Sequence, residues 1–118
     1  MDLIRQMLFA IEAAPTGFAP HPLKIDGYTE DQVGYHAYLL INGDYAKGPV
    51  VTGSNSTSPE AIILNLTWKG HEFADAARSE TTWRKAKDMI QAKVGSIGLD
   101  AVKDLLIRLG RRELGLDE

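Results

Sequence analysis

Residues 29–73, TEDQVGYHAYLLINGDYAKGPVVTGSNSTSPEAIILNLTWKGHEF, decide the fold. Thr29 is a good N-cap, and Glu30, Asp31 and Gln32 follow it where acidic side chains suit the exposed N–H groups of a first helical turn. Gln32 at the third helical position also allows a capping box with Thr29. Val33, Ala37, Leu40 and Ile41 recur at helical spacing and are expected to face a core. Asp31, Gly34, Tyr35, Tyr38 and Asn42 fall on the other side. Asn42-Gly43 is the expected stop, because both residues tolerate positive φ.

A hairpin is expected next. Tyr45 to Thr52 contains the β-branched run Val50-Val51-Thr52, and Ile62 to Leu66 is a second apolar run. Between them lies a polar, turn-rich tip, Gly53 to Glu60. Gly48-Pro49 suggests an irregular start to an edge strand. Thr67 then caps a helix that begins near Trp68. Helix, hairpin and helix in this order predict an α+β, mostly α fold of winged helix-turn-helix type, in which Thr29–Asn42 is the recognition helix and the hairpin is the wing.

Working outward, Asp2 to Ala14 reads as a helix with Leu3, Met7, Leu8 and Ile11 as its apolar stripe, widened by Ile4 and Phe9. Pro15-Thr16-Gly17 ends it. Pro15, Pro20 and Pro22 leave little room for a second helix before Thr29, so that element is reduced to a turn or replaced by a short extended piece at Leu23-Lys24-Ile25. That piece is a candidate third strand beside the wing. Downstream, a helix over Trp68–Arg78 should turn Phe73, Ala76 and Ala77 inward. Ser79-Glu80-Thr81 marks a break and recapping, and Trp83, Ala86, Ile90 and Val94 form the next stripe. Gly95 and Gly98 bracket a turn before the last stripe, Leu99, Val102, Leu105, Leu106 and Leu109, with fraying from Gly110 to Glu118. The last stripe is expected to pack back over the domain, the alternative being a homodimer seam through residues 99–109.

At 118 residues the chain predicts one domain over 1–118, with a core of about 1–78 and a helical extension over 79–118. A hydrophobic content of 44% and a charged content of 25% are ordinary for a globular protein. There is no cysteine, which excludes disulfides and thiolate metal sites and fits a reducing cytoplasm. Met1-Asp2 opens into a helix without a basic start and apolar run, so no signal peptide is expected. No apolar run reaches the length of a membrane span, and no membrane partner is expected. The net charge of −3 is unevenly spread: residues 1–77 hold four Lys/Arg against nine Asp/Glu, net −5, and residues 78–118 hold nine against seven, net +2.

Several phrases resemble a family of short bacterial and phage proteins known only as a domain of unknown function. They are Met1-Asp2-Leu3-Ile4-Arg5, Gly27-Tyr28-Thr29, Tyr35-His36-Ala37-Tyr38-Leu39-Leu40, Leu66-Thr67-Trp68-Lys69-Gly70-His71-Glu72-Phe73, and Thr82-Trp83. The likeness covers nearly the whole chain, and the phrase at 66–73 is its most specific part. The chain departs from the pattern at Gly43-Asp44-Tyr45, where the family tends to place an aliphatic residue after the glycine. The resemblance implies a winged-helix-like fold and a mobile-element setting. It implies no activity and no catalytic residue.

The candidate chemistry is sparse. His71, Glu72 and Asp75 lie close in sequence, with His71 and Asp75 one helical turn apart. A metal centre needs three or more convergent ligands and only two can be assigned, so no metal, cofactor or catalytic residue is expected. His36 and His71 are expected to be half-buried and hydrogen-bonded, and no spacing brings His21 or His36 to His71. No nucleophile elbow, phosphate loop or dinucleotide fingerprint appears, so an enzyme is not expected.

Two binding readings remain. Duplex DNA needs Lys and Arg on the docking surface, yet Thr29–Asn42 and the tip Gly53–Glu60 carry none. The candidate phosphate contacts are therefore Lys47, Lys69, Arg78, Arg84, Lys85 and Lys87, with Lys93 in the same tail, and they predict only weak DNA affinity. A protein partner suits the same helix better. Tyr35 and Tyr38 are candidate aromatic anchors, and Glu30 and Asp31 supply negative charge beside them. The sequence favours a non-catalytic adaptor or inhibitor acting through protein contacts, with a DNA-binding regulator as the alternative.

Overall fold

The computed structural model describes residues 2–14, 16–20, 22–51, 59–93, 98–113 and 115. His21, Pro15, Thr52, most of the expected hairpin tip, Val94, Gly95 and the side chain of Lys93 lie outside the described residues. The elements run α1 (Asp2–Glu12), α2 (Glu30–Asn42), β1 (Ala46–Lys47), β2 (Asn65–Leu66), α3 (Trp68–Ala76), α4 (Glu80–Lys93) and α5 (Leu99–Glu113). The fold is α+β and mostly α. The chain divides into two compact units, Met1–Glu72 and Phe73–Glu118, and the division falls inside α3.

In the first unit α1 packs on α2 and on β2, and α2 packs on β1. The stripe of α1 is buried as its spacing requires: Leu3, Ile4, Met7, Leu8 and Ile11, with Phe9 only half-buried. The helix ends at Glu12, before the expected Ala14, because the chain already turns toward Gly17, whose φ is 79°. From α2 come Val33, Ala37 and Leu40; Ile41 is half-buried rather than core, as it lies off the centre of that stripe. Met7, Leu8 and Leu40 have no exposed surface, and each such side chain contributes about 1.5–3 kcal/mol of burial.

The capping box of α2 is formed. Gln32 N–H donates to Thr29 Oγ1 at 3.1 Å, and Thr29 N–H donates to Gln32 Oε1 at 2.9 Å. The other end differs from expectation. Gly43 has an ordinary φ of −86°, and the left-handed residue is Asp44 at 67°. Aspartate tolerates that region better than most residues. Gly43 is placed instead for closeness, since a Cβ there would lie 3.0 Å from Tyr45 ring carbons.

The hairpin is antiparallel, with Ala46 opposite Leu66 and Lys47 opposite Asn65, and it continues to a bridge between Val50 and Ala61. The steps between the two registers are three residues on one side and four on the other, so the returning strand carries a bulge within 62–64. Gly48 sits opposite it; a Cβ there would lie 1.8 Å from the Ile62 carbonyl oxygen. Beyond the bulge the hairpin turns onto α2, and Ala61 N–H donates to the Gly34 carbonyl at 3.2 Å.

The segment before α2 holds no helix among its described residues, as its prolines predict, but Leu23-Lys24-Ile25 is not a strand. The contact with the hairpin is made earlier, by Ala19 N–H on the Leu64 carbonyl at 2.7 Å. Pro20 and Pro22 have no N–H to give, so Ala19 is the last donor before them.

In the second unit α5 packs on α4. Ser79 caps α4, accepting from Thr82 N–H at 3.2 Å. Trp83, Ala86 and Ile90 are buried as expected, as are Val102, Leu106 and Leu109 of α5, whereas Leu99 and Leu105 are half-buried. The start of α4 is tied to the end of α5 where Thr82 Oγ1 donates to Glu113 Oε2 at 2.8 Å. That bond falls within the stretch expected to fray, and α5 continues in order to Glu113. In α3, Phe73 and Ala74 are buried, while Ala76 is half-buried and the helix stops there rather than at Arg78; Ala77, just beyond its end, is buried.

Candidate functional site

The outward face of α2 gathers the sequence-predicted anchors. Tyr35 is 37% exposed and Tyr38 is half-buried, with their rings stacked at 6.5 Å and 19° apart in plane. Residues three apart on a helix meet in this way, so the pair is preorganised by the backbone. His36 packs edge-on to Tyr35 at 5.6 Å and is held by its Nδ1, which donates to the Gln32 carbonyl at 2.8 Å. Glu30 and Asp31 are exposed in the first turn, where the helix N-terminus favours their charge. Asp31 is one turn from Tyr35, which places a carboxylate beside the aromatic pair. Gly34 does not belong to this open face: the hairpin covers it, with the Glu60 side chain and Ala61 over it.

Beside Gly34 lies a groove of about 150 Å³ that the sequence reading did not find. Glu30, Val33, Gly34 and Ala37 of α2 form one side, Pro20, Pro22 and Leu23 a second, and Ala61, Ile62 and Ile63 the third. The signal was present in part. A glycine inside a well-capped helix weakens it, so its presence asks for something packed close.

The phrase at 66–73 is a clamp on the end of α2. Thr67 Oγ1 donates to the Asp44 carbonyl at 2.6 Å and accepts from Gly70 N–H at 3.1 Å, while Thr67 N–H donates to the Tyr45 carbonyl at 3.0 Å. Lys69 Nζ donates to the Gly43 carbonyl at 3.0 Å and sits 4.4 Å from the centre of the Tyr45 ring. Gly70 is needed because a Cβ would lie 2.0 Å from the Tyr45 oxygen. Trp68 takes no part in the core and is 81% exposed. Tyr45 is 1% exposed, under Lys69, at the centre of the clamp.

The basic candidates fall in both units. Lys47 is exposed on β1, and Lys69 is engaged in the clamp, both in the first unit. The others fall in the second. Arg78 is paired with Asp75 at 2.9 Å, Arg84 lies 3.8 Å from Glu80, Lys85 lies 3.7 Å from Glu113, and Lys87 is half-buried. Such exposed pairs are weak, about 0–1 kcal/mol, but they reduce the positive field offered to a phosphate.

His71 is exposed rather than half-buried, and its Nδ1 lies 3.0 Å from Glu12 Oε2. Asp75 accepts from Arg78 at 2.9 Å. Among the described residues no three His, Cys, Asp or Glu side chains form a group that could hold a metal ion. No helix of the described residues is long and apolar enough to cross a membrane.

Residues 1–96 match the family described as "Hypothetical protein (DUF2513)". A protein of Haemophilus influenzae described as uncharacterized is 34% identical over 107 residues, covering 88% of this chain and 87% of that protein. No solved structure matches. The chain belongs to the DUF2513 family.

Proposed function

We propose that this member of the DUF2513 family is a non-catalytic binding module of winged-helix type, cytoplasmic and from a phage or mobile element, that acts as an adaptor or inhibitor through protein contacts. The observation that carries the reading is the outward face of α2, where a stacked, partly exposed Tyr35–Tyr38 pair stands beside exposed Glu30 and Asp31 on a helix without Lys or Arg. Rigid aromatics contribute large contact area at little entropic cost, and a carboxylate rim selects a basic partner surface. The mobile-element setting rests on the resemblance of the sequence phrases, and the cytoplasmic setting on the absence of cysteine.

Charge ranks the DNA-binding regulator below this. The first unit holds four Lys/Arg against eight Asp/Glu, net −4. A phosphate backbone would be repelled by the helix that a winged-helix protein inserts into the groove.

The test is a pull-down from the native host with wild-type chain and with the Tyr35→Ala, Tyr38→Ala double variant, beside fluorescence-anisotropy titrations with genomic and random duplexes. A protein partner lost in the double variant, with weak and sequence-independent DNA binding, supports the reading. Sequence-selective DNA binding lost on changing Tyr35 or Tyr38 reverses the ranking.

A further inference from the structure

We propose that Asn42 is a site of spontaneous deamidation, and that the clamp on the end of α2 holds its conversion back. Asparagine followed by glycine is especially prone to this reaction, because glycine has no side chain to keep its nitrogen off the preceding carboxamide. Of the three asparagines only Asn42 has that neighbour; Asn55 precedes Ser56 and Asn65 precedes Leu66. Asn42 is exposed, at the last position of α2.

The reaction needs water and no other reactant. The Gly43 nitrogen gives up its proton to solvent base and attacks Cγ of Asn42. A new N–C bond closes a five-membered succinimide, the Cγ–Nδ2 bond breaks, and the side-chain nitrogen takes up a proton and leaves as ammonia. Water then opens the ring at either carbonyl and yields aspartate or isoaspartate.

The fold keeps the nitrogen off that path. Gly43 N–H donates to the Leu39 carbonyl at 3.0 Å, and the next two N–H groups, of Asp44 and Tyr45, donate to the Ile41 and Leu40 carbonyls at 3.0 and 2.8 Å. Ring closure swings the peptide plane between residues 42 and 43 out of helical geometry, by rotation about ψ of Asn42. That rotation carries Gly43 N–H off Leu39. It also pulls on the Gly43 and Asp44 carbonyls, which accept from Lys69 Nζ at 3.0 Å and from Thr67 Oγ1 at 2.6 Å. Conversion therefore proceeds through local opening of the clamp, and its rate follows the population of the open form.

The product does not fit back. Isoaspartate routes the main chain through Cβ and so adds an atom between α2 and the clamp. Either product places a new negative charge at the C-terminal end of α2, where the macrodipole is already negative, and two residues from Asp44. Deamidation is thus a one-way loosening of the first unit that advances with the age of the chain.

The experiment incubates the full chain at mildly alkaline pH, in native buffer and in urea. Residue 42 is followed by peptide mapping with mass spectrometry that separates aspartate from isoaspartate. Wild-type chain in native buffer is expected to convert about a hundredfold more slowly than in urea, since several hydrogen bonds must open together. Thr67→Ala removes one donor of the clamp and the cap of α3, and should speed native conversion roughly tenfold. Leu106→Ala loosens the second unit and should stay within about twofold of wild type. If Thr67→Ala does not fold, Lys69→Met takes its place, because it removes the bond to the Gly43 carbonyl. No conversion of Asn42 in urea would overturn the proposal. So would equal rates in native buffer and urea, no acceleration by the clamp variant, or equal acceleration by the clamp variant and Leu106→Ala.

Discussion

Replacing Gly70 with alanine should destabilise the first unit, although alanine is the better helix former. In an open helix the change would gain about 1 kcal/mol. At this position the new Cβ would lie 2.0 Å from the Tyr45 carbonyl oxygen, 3.0 Å from its carbon and 3.2 Å from Leu66 Cβ. The first of these must open by more than an ångström, and the atom to be moved is backbone. That oxygen accepts from Thr67 N–H at 3.0 Å, and the adjoining carbonyls of Asp44 and Gly43 accept from Thr67 Oγ1 and Lys69 Nζ. Opening the clamp costs overpacking strain of about 1–3 kcal/mol and a hydrogen bond to a buried carbonyl, about 1–3 kcal/mol more. Subtracting the propensity gain leaves a net loss of about 1–5 kcal/mol. In urea, with a slope of about 2 kcal/mol/M, the midpoint should fall by about 0.5–2.5 M. Gly110→Ala is the internal control: that residue lies in α5 with nothing near its missing Cβ, so the same substitution should stabilise by up to about 1 kcal/mol. If Gly70→Ala behaves like Gly110→Ala, the clamp is not what fixes α3 to the end of α2.

Leu40→Ala should cost about 2–5 kcal/mol in the same urea assay, because Leu40 has no exposed surface. Thr67→Ala removes the cap of α3 and the bond to Asp44, and a loss of about 1–2 kcal/mol is expected by thermal melt. Leu106→Glu buries a charge at a position with no exposure and should unfold the second unit, whereas Ile107→Glu, at a position 36% exposed, should leave the circular dichroism spectrum intact; a folded, monomeric Leu106→Glu by sedimentation would instead make the α5 stripe a dimer seam. Whatever duplex DNA the chain retains should dissociate steeply with added salt and should depend on Arg84 and Lys85, read by anisotropy after their replacement with glutamine.

The sequence was most legible where one local rule acts alone. Thr29 and Gln32 announced a capping box, and both of its bonds are formed. The stripes of α1, α4 and α5 were readable because helical spacing and burial coincide over several turns. It was less legible where backbone meets backbone over a distance. Gly48 and Gly70 are required by carbonyls of residues far along the chain, Ile62 and Tyr45, and no periodicity encodes that. The same holds for the third-strand expectation at Leu23-Lys24-Ile25, since which donor reaches Leu64 depends on where the prolines place the chain. On α2, helical phase put Asp31 and Tyr35 on the exposed side, where they lie, and put Tyr38 there too, although it is half-buried. The groove was not legible, because three separate stretches of the chain line it, and the bulge that turns the hairpin onto Gly34 has no local signature beyond Gly48-Pro49.

Site-specific photo-crosslinking in the native host tests the protein-contact reading most directly. A benzophenone amino acid replaces Tyr35 on the face held to meet the partner, and replaces Ile107 in a control chain. The account predicts a discrete protein adduct from position 35 that is absent from position 107 and is lost when Asp31→Lys and Tyr38→Ala are added. Adducts to DNA from position 35, or the same protein adducts from both positions, would contradict it.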